Sequence, residues 1–259
     1  MFNIFKKKRA NERVVVIDTE TTGLSSFDRI VSLAYVELAG TDFEPYAEHL
    51  IFSPGRKSHK DALKVHGWSD RILRAQDSFA VHAGALRDKF ESADLIVAHN
   101  VAFDLRFVNA EFGRCNLPSI ATESFCTMEL AREVWPGQPA SLDACISRAG
   151  AKRASSKHSA YEDAFLTANI YRFYKGTKQW MMPEGLMTPT NFRPVPDIVD
   201  DEEAAIRLTE DLPGIGIQAA EGMVGIGLRT SEDVRLASDE QLLSLPGIGR
   251  GKIARIRQS

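Results

Sequence analysis

The stretch Val14-Val15-Val16-Ile17-Asp18-Thr19-Glu20-Thr21-Thr22-Gly23-Leu24 decides how the chain reads. Four consecutive apolar β-formers, bounded by polar residues and glycine, predict a buried strand. Side chains alternate along a strand, so Asp18 and Glu20 project from one face with their Cβ atoms about 7 Å apart. Two carboxylates side by side at the end of a buried strand repel each other and are costly without counter-charge. A divalent cation supplies that charge, because hard oxygen donors suit Mg²⁺ or Mn²⁺. The competing reading is an ordinary strand end with both acids in solvent.

Working outward, Arg29 to Leu38 and Tyr46 to Phe52 read as two further strands, the latter closed by the turn residues Ser53-Pro54-Gly55. Three strands with short links predict an antiparallel meander. From Asp61 to Phe90 the pattern is helical, with Phe79, Leu86 and Phe90 on one face. The apolar run Leu95-Ile96-Val97-Ala98 predicts a buried central strand, followed at once by helix-spaced Phe103, Phe107, Val108 and Phe112. Thr122 to Thr127 reads as a strand, Ser141 to Ala149 as a helix, and Ser159 to Tyr174 as an amphipathic helix. The sum is an α/β domain over residues 10–176. Residues 177–203, with Pro183, Pro189, Pro194, Pro196 and an acidic run, predict an extended linker whose Met181, Met182, Leu186, Met187 and Phe192 can pack on that domain.

Two more acids share a placement. Asn100 is a suitable N-cap, which puts Asp104 at the end of a first helical turn. Ser159 and Glu162 have capping-box spacing, which starts a helix near Ala160 and gives Asp163 the same position, with His158 just before it. Helix N-termini favour the ionised carboxylate, as metal ligation requires.

In order along the chain, Asp18-x-Glu20-Thr21-Thr22-Gly23-Leu24, His99-Asn100-x-x-Phe103-Asp104 and His158-x-Ala160-x-x-Asp163 resemble the three motifs of the DEDDh exonuclease superfamily, in particular its branch of bacterial proofreading subunits. The resemblance covers residues 13–174, and all five signature residues are present. It implies an RNase-H-like fold, a five-stranded mixed sheet flanked by helices. It also implies 3′-to-5′ hydrolysis of nucleic acid to mononucleotides. Carried over, Asp18, Glu20, Asp104 and Asp163 hold two divalent cations, Mg²⁺ or Mn²⁺, and His158 is the general base. Thr21 and Leu24 meet the terminal nucleotide, and Phe103 and His66 line the same pocket. Core packing competes for Phe103, and a structural role for His66. His99 reads as structural, bonding backbone near the Asn100 cap.

Residues 204–259 contain a repeat: Leu212-Pro213-Gly214-Ile215-Gly216 returns as Leu245-Pro246-Gly247-Ile248-Gly249. The pair resembles tandem helix–hairpin–helix DNA-binding modules, a small all-α domain in which two units bury one core. A Gly-x-Gly at a helix start exposes N–H groups that can cradle a phosphate. The second copy (Gly247, Gly249, Arg250, Lys252, with Arg255 and Arg257) has the charge for a duplex backbone, and the first lacks it. Gln241 to Leu245 has the outline of a sliding-clamp-binding peptide, but it lies where a helix must enter the second hairpin and reads as core.

At 259 residues, with 44% hydrophobic and 26% charged residues, the chain is of globular composition. A net charge of −3 gives no global nucleic-acid signal, so contact with DNA must come from local patches. The run Lys6 to Arg9 reads as a solvated tail. Three cysteines without CxxC spacing predict reduced, buried thiols. No stretch reaches membrane-spanning length, and the expected location is cytoplasmic with no membrane partner. The leading expectation is a DNA 3′–5′ exonuclease of repair or proofreading, acting on a single-stranded or frayed 3′ end with a DNA polymerase as candidate partner. The alternatives are an RNA-trimming enzyme of the same superfamily and a non-catalytic polymerase accessory.

Overall fold

The computed structural model describes residues 12–39, 46–153, 158–176, 188–195 and 201–258. The chain forms two units, divided between Arg193 and Pro194. In the first, β1 (Arg13–Thr21) lies at the centre of a sheet. On one side β2 (Ile30–Ala39) and β3 (Tyr46–Ile51) complete the expected antiparallel meander. On the other, β4 (Leu95–Ala98) and β5 (Ser124–Cys126) run parallel to it, giving the order β3-β2-β1-β4-β5.

The helical stretch after β3 divides into α1 (Lys60–His66), α2 (Asp70–Arg74) and α3 (Phe79–Glu91). A left-handed Gly67 (φ 75°) ends α1, and Ser69 caps α2. Phe79, Leu86 and Phe90 are buried along α3, as their spacing predicts. α4 (Val101–Arg114) leaves β4 directly. α5 (Thr127–Val134), which the sequence reading did not foresee, leaves β5 with Cys126 Sγ accepting from the Glu129 amide. α6 (Leu142–Arg148) and α7 (Ala160–Tyr174) follow.

Strand alternation sets the layers. Val15 and Ile17 pack with Phe79, Phe90, Phe107 and Phe112 of α3 and α4. Val14 and Val16 face Ala160, Ala164, Phe165 and Ala168 of α7. The far side of α7 (Leu166, Ile170, Tyr174) then packs on Leu130, Ala131, Cys145 and Ile146 of α5 and α6. Thirteen of the fifteen residues of α7 are therefore buried. The helix expected here to be amphipathic is packed on both sides, because a second helical layer covers its outer face. Cys126 and Cys145 are buried and Cys115 partly so, all three as free thiols.

Part of the expected linker belongs to the first unit. The Asn191 side-chain amide donates to Ile51 O (2.7 Å) and accepts from Ile51 N (2.9 Å), extending the edge of β3. Phe192 packs on Trp68. Met181, Met182, Leu186, Met187 and the Lys6 to Arg9 run lie outside the described residues.

In the second unit the acidic residues from Asp201, read as linker, open α8 (Asp201–Asp211). α9 (Ile217–Gly225), α10 (Ser231–Leu236), α11 (Asp239–Leu243) and α12 (Arg250–Gln258) complete it. One core joins Leu212 and Ile215 of the first hairpin to Leu245 and Ile248 of the second. Gly214 and Gly247 take φ of 80° and 77°, which allows the repeated turn. Leu242 and Leu245 are buried in this core, as the core reading of that segment requires. Among the described residues no helix is long and apolar enough to cross a membrane.

Candidate active site

β1 and β4 are parallel, so their C-terminal ends reach the same edge of the sheet, where α4 begins and α7 points its N-terminus. Asp18 and Glu20 continue the Val14–Val16 face toward α7. Asp104 stands in the first turn of α4 and Asp163 in the first turn of α7. From the opposite face of β1 the Thr19 hydroxyl donates to Asp104 Oδ1 at 2.8 Å. His158 Nδ1 lies 3.1 Å from Asp163 Oδ2, and its backbone N–H donates to Val65 O at 3.1 Å. Ligand atoms of Glu20, His158 and Asp163 all lie within 4.8 Å of one another. Five residues separated by up to 145 positions in sequence thus converge on one edge.

The helix starts differ from the sequence reading. Asn100 sits in the left-handed region (φ 82°) and makes no side-chain cap; its carbonyl accepts from the Phe103 amide instead. Asn tolerates that conformation better than most residues. Ser159 likewise makes no side-chain cap. Glu162, expected in a capping box, is buried beside Arg153.

Burial is the largest cause of the electrostatic character of the site, and mutual repulsion adds to it. It pushes Asp18 well above the usual carboxylate range, with Asp163, Asp104 and Glu20 contributing. Glu20 is pushed up to about 8, by burial and then Asp163. Asp104 rises to about 7 through burial, opposed by its hydrogen bond from Thr19. The hydrogen bond to Asp163 holds His158 above its ordinary value, with burial opposing. Four crowded carboxylates short of positive charge are a hard-oxygen donor set that fits Mg²⁺ or Mn²⁺.

Arg153 is the residue that sequence reading missed. It comes from the loop before α7, and its Nη1 pairs with Asp163 Oδ1. The same guanidinium lies 3.7 Å from Glu162 Oε2 and 3.1 Å from Asp143 Oδ1. No spacing signal marks it; only the approach of α6 to the start of α7 brings it here.

The residues expected on the nucleotide side are dispersed around this edge. The Thr21 hydroxyl donates to Gly23 O (2.7 Å). A Cβ on Gly23 would stand 2.4 Å from His59 and 2.6 Å from Asp28, so the turn requires glycine. Leu24 beyond it is 76% exposed, its carbonyl held by Arg106. Phe103 is partly buried against the sheet core, its ring tilted 54° to that of Phe107 with centroids 4.9 Å apart. His66 is buried, accepts from Trp68 N through Nδ1, and is driven by burial to a pKa of about 4, so it stays neutral. His99 bonds Thr127 Oγ1 and Ala140 O, both at 2.9 Å, and so ties β4 to α5 and the start of α6 rather than bonding near Asn100.

In the second unit Gly247, Gly249 and Arg250 are exposed and Lys252 half-buried at the turn into α12. Arg257 does not join them. Its guanidinium donates to Val234 O, Arg235 O and Ala237 O and pairs with Asp239, capping the end of α10. Arg255 Nη1 reaches the first hairpin, 3.7 Å from where a Cβ on Gly214 would lie.

Comparison with known proteins gives the family and the fold. A family model described as exonuclease matches residues 15–171, and one described as a SAM-like helix–hairpin–helix tandem matches residues 206–259. The epsilon subunit of DNA polymerase III from Pasteurella multocida is 32% identical over 183 residues, taking in 66% of this chain and 72% of that protein. The same subunit from Escherichia coli is 31% identical over 170 residues, 61% of this chain and 70% of that one. Among solved structures, E. coli exonuclease I in a zinc-bound complex with single-stranded DNA superposes with a TM-score of 0.56 at 18% identity. That match covers 63% of this chain and 40% of exonuclease I, so this chain spans about two fifths of that protein and shares its fold.

Proposed function

The chain belongs to the exonuclease family, and on that premise we propose that it hydrolyses DNA from the 3′ end to mononucleotides, in proofreading or repair. One observation carries the reading: Asp18, Glu20, Asp104, Asp163 and His158 converge at the C-terminal edge of β1. The four carboxylates would hold two divalent cations. Bound there, the cations supply Lewis-acid charge against the phosphate and an acidified water. His158 is the general base: Nδ1–H donates to Asp163, which leaves Nε2 as the atom that takes the proton. The half-exposed His158 faces the solvent side, where an attacking water enters. The backbone of Thr21, the exposed Leu24, Phe103 and neutral His66 position the terminal nucleotide.

Labour divides between an exonuclease domain (residues 10–176) and a tail (204–259) that holds duplex through Gly247, Gly249, Arg250 and Lys252. This binding reads backbone and not sequence. The tail favours DNA over RNA as substrate. The likeness to polymerase III epsilon subunits makes a DNA polymerase the proposed partner, in the cytoplasm.

The test is a time course with end-labelled single-stranded DNA, duplex with a frayed 3′ end and RNA of matched sequence, in Mg²⁺ and in chelator. Metal-dependent shortening of DNA from the 3′ end is expected. Faster loss of RNA would replace this reading with RNA trimming, and no cleavage of any substrate would favour a binding accessory.

A further inference from the structure

Each oxygen of Asp163 already meets a cationic or ring nitrogen of its own chain. Oδ1 pairs with Arg153 Nη1, and Oδ2 lies 3.1 Å from His158 Nδ1. A divalent cation that binds through Asp163 must share its carboxylate with these partners or displace one of them. Arg153 is the group that has somewhere else to stay, because its Nε and Nη2 both lie 3.1 Å from Asp143 Oδ1 on α6. The Arg153 side chain is 11% exposed and Asp143 61%, so one side of the guanidinium meets the buried acids and the other meets a carboxylate that stands largely in solvent.

We propose that Arg153 is a built-in counter-cation that competes with the catalytic metal for Asp163 and, when displaced, stays anchored on Asp143. The inference rests on the metal-dependent reading above. Three acids, Asp143, Glu162 and Asp163, converge on this one guanidinium. Its field also reaches Asp18 and Glu20, where it works against the repulsion that burial and their neighbours create. A monovalent cation in that position holds a crowded acidic edge together, and a divalent one sharing the same carboxylate oxygen would be repelled by it. The two cations are therefore negatively coupled.

The coupling is read by Mn²⁺ titration of the full chain, by calorimetry or electron paramagnetic resonance, with melting in chelator alongside. Arg153→Gln should bind Mn²⁺ about tenfold more tightly than wild type, within the usual range of such couplings. It should also melt several degrees lower in chelator; a purely structural arginine would not give opposite signs in the two measurements. Arg153→Lys, which keeps the charge, should stay within about twofold of wild type. Asp143→Asn removes the tether, strengthens the hold of Arg153 on Asp163, and should weaken Mn²⁺ binding; this variant decides the matter if Arg153→Gln does not fold. Wild-type binding that is unchanged in Arg153→Gln, or unweakened in Asp143→Asn, overturns the proposal and leaves the exonuclease reading standing. No Mn²⁺ binding by any of these proteins overturns both.

Discussion

The Thr19 hydroxyl donates to Asp104 Oδ1 at 2.8 Å, joining residues 85 positions apart. Thr19 lies on the face of β1 opposite Asp18 and Glu20, yet through Asp104 it acts on their site. The bond orients the carboxylate and favours its ionised form against burial. Thr19→Val, which keeps the shape and removes the donor, should lower metal affinity or kcat by about 10–100-fold, as loss of such orienting partners typically does. The near-ultraviolet dichroism should stay native. Unchanged turnover would mean that Asp104 is placed by its helix alone.

The acids that serve the site also strain it. Glu20 is raised from 4.5 to about 8 and Asp104 from 3.8 to about 7, so the folded chain holds protons that the unfolded chain releases. A raised folded-state pKa means stability that is lost as pH climbs from the unfolded to the folded value. His158, also raised, has the same sign. In chelator the melting temperature should therefore fall between about pH 4.5 and pH 8, and divalent ions should restore it. Asp18→Asn should flatten this slope and raise the melting temperature at pH 8, by about 2–4 °C for each kcal/mol relieved. Hydrolysis should be lost in the same variant. A melting temperature independent of pH in wild type would contradict the crowding.

His158 is separable from the metal ligands. His158→Gln should reduce kcat by about 10²–10⁴-fold, the usual worth of a general base. Its Kd for a DNA 3′ end should change little. Equal losses in both measurements would assign His158 to binding instead.

For the tail, Arg250→Ala and Lys252→Ala should each weaken duplex binding and reduce the slope of log K against log salt by about 1. Arg257→Ala should instead lower the stability of the second unit, since its guanidinium caps α10. A salt slope that Arg257→Ala alters as much as Arg250→Ala would show that capping and phosphate contact are not separate.

The meander, the buried β4, the helices carrying Asp104 and Asp163 and the repeated hairpins were all legible in the chain. Each depends on local alternation, helical spacing or a turn needing glycine. What failed were inferences about where a side chain spends its hydrogen bonds. Asn100 and Ser159 stand at helix starts but do not cap them, and Arg257 bonds the end of α10 rather than joining the basic cluster of Arg250 and Lys252. α7 reads as amphipathic because periodicity reports one packed face, and only α5 and α6 close the other.

By itself the sequence determined which residues stand on each strand face and in each first helical turn, because those positions follow from local backbone geometry. The parallel pairing of β1 with β4 decided that Asp18, Glu20 and Asp104 share one edge. The approach of α6 to α7 decided that Arg153 sits on Asp163. Both are contacts between segments distant along the chain. Burial, charge and hydrogen bonding there take their values from the neighbours that tertiary packing brings.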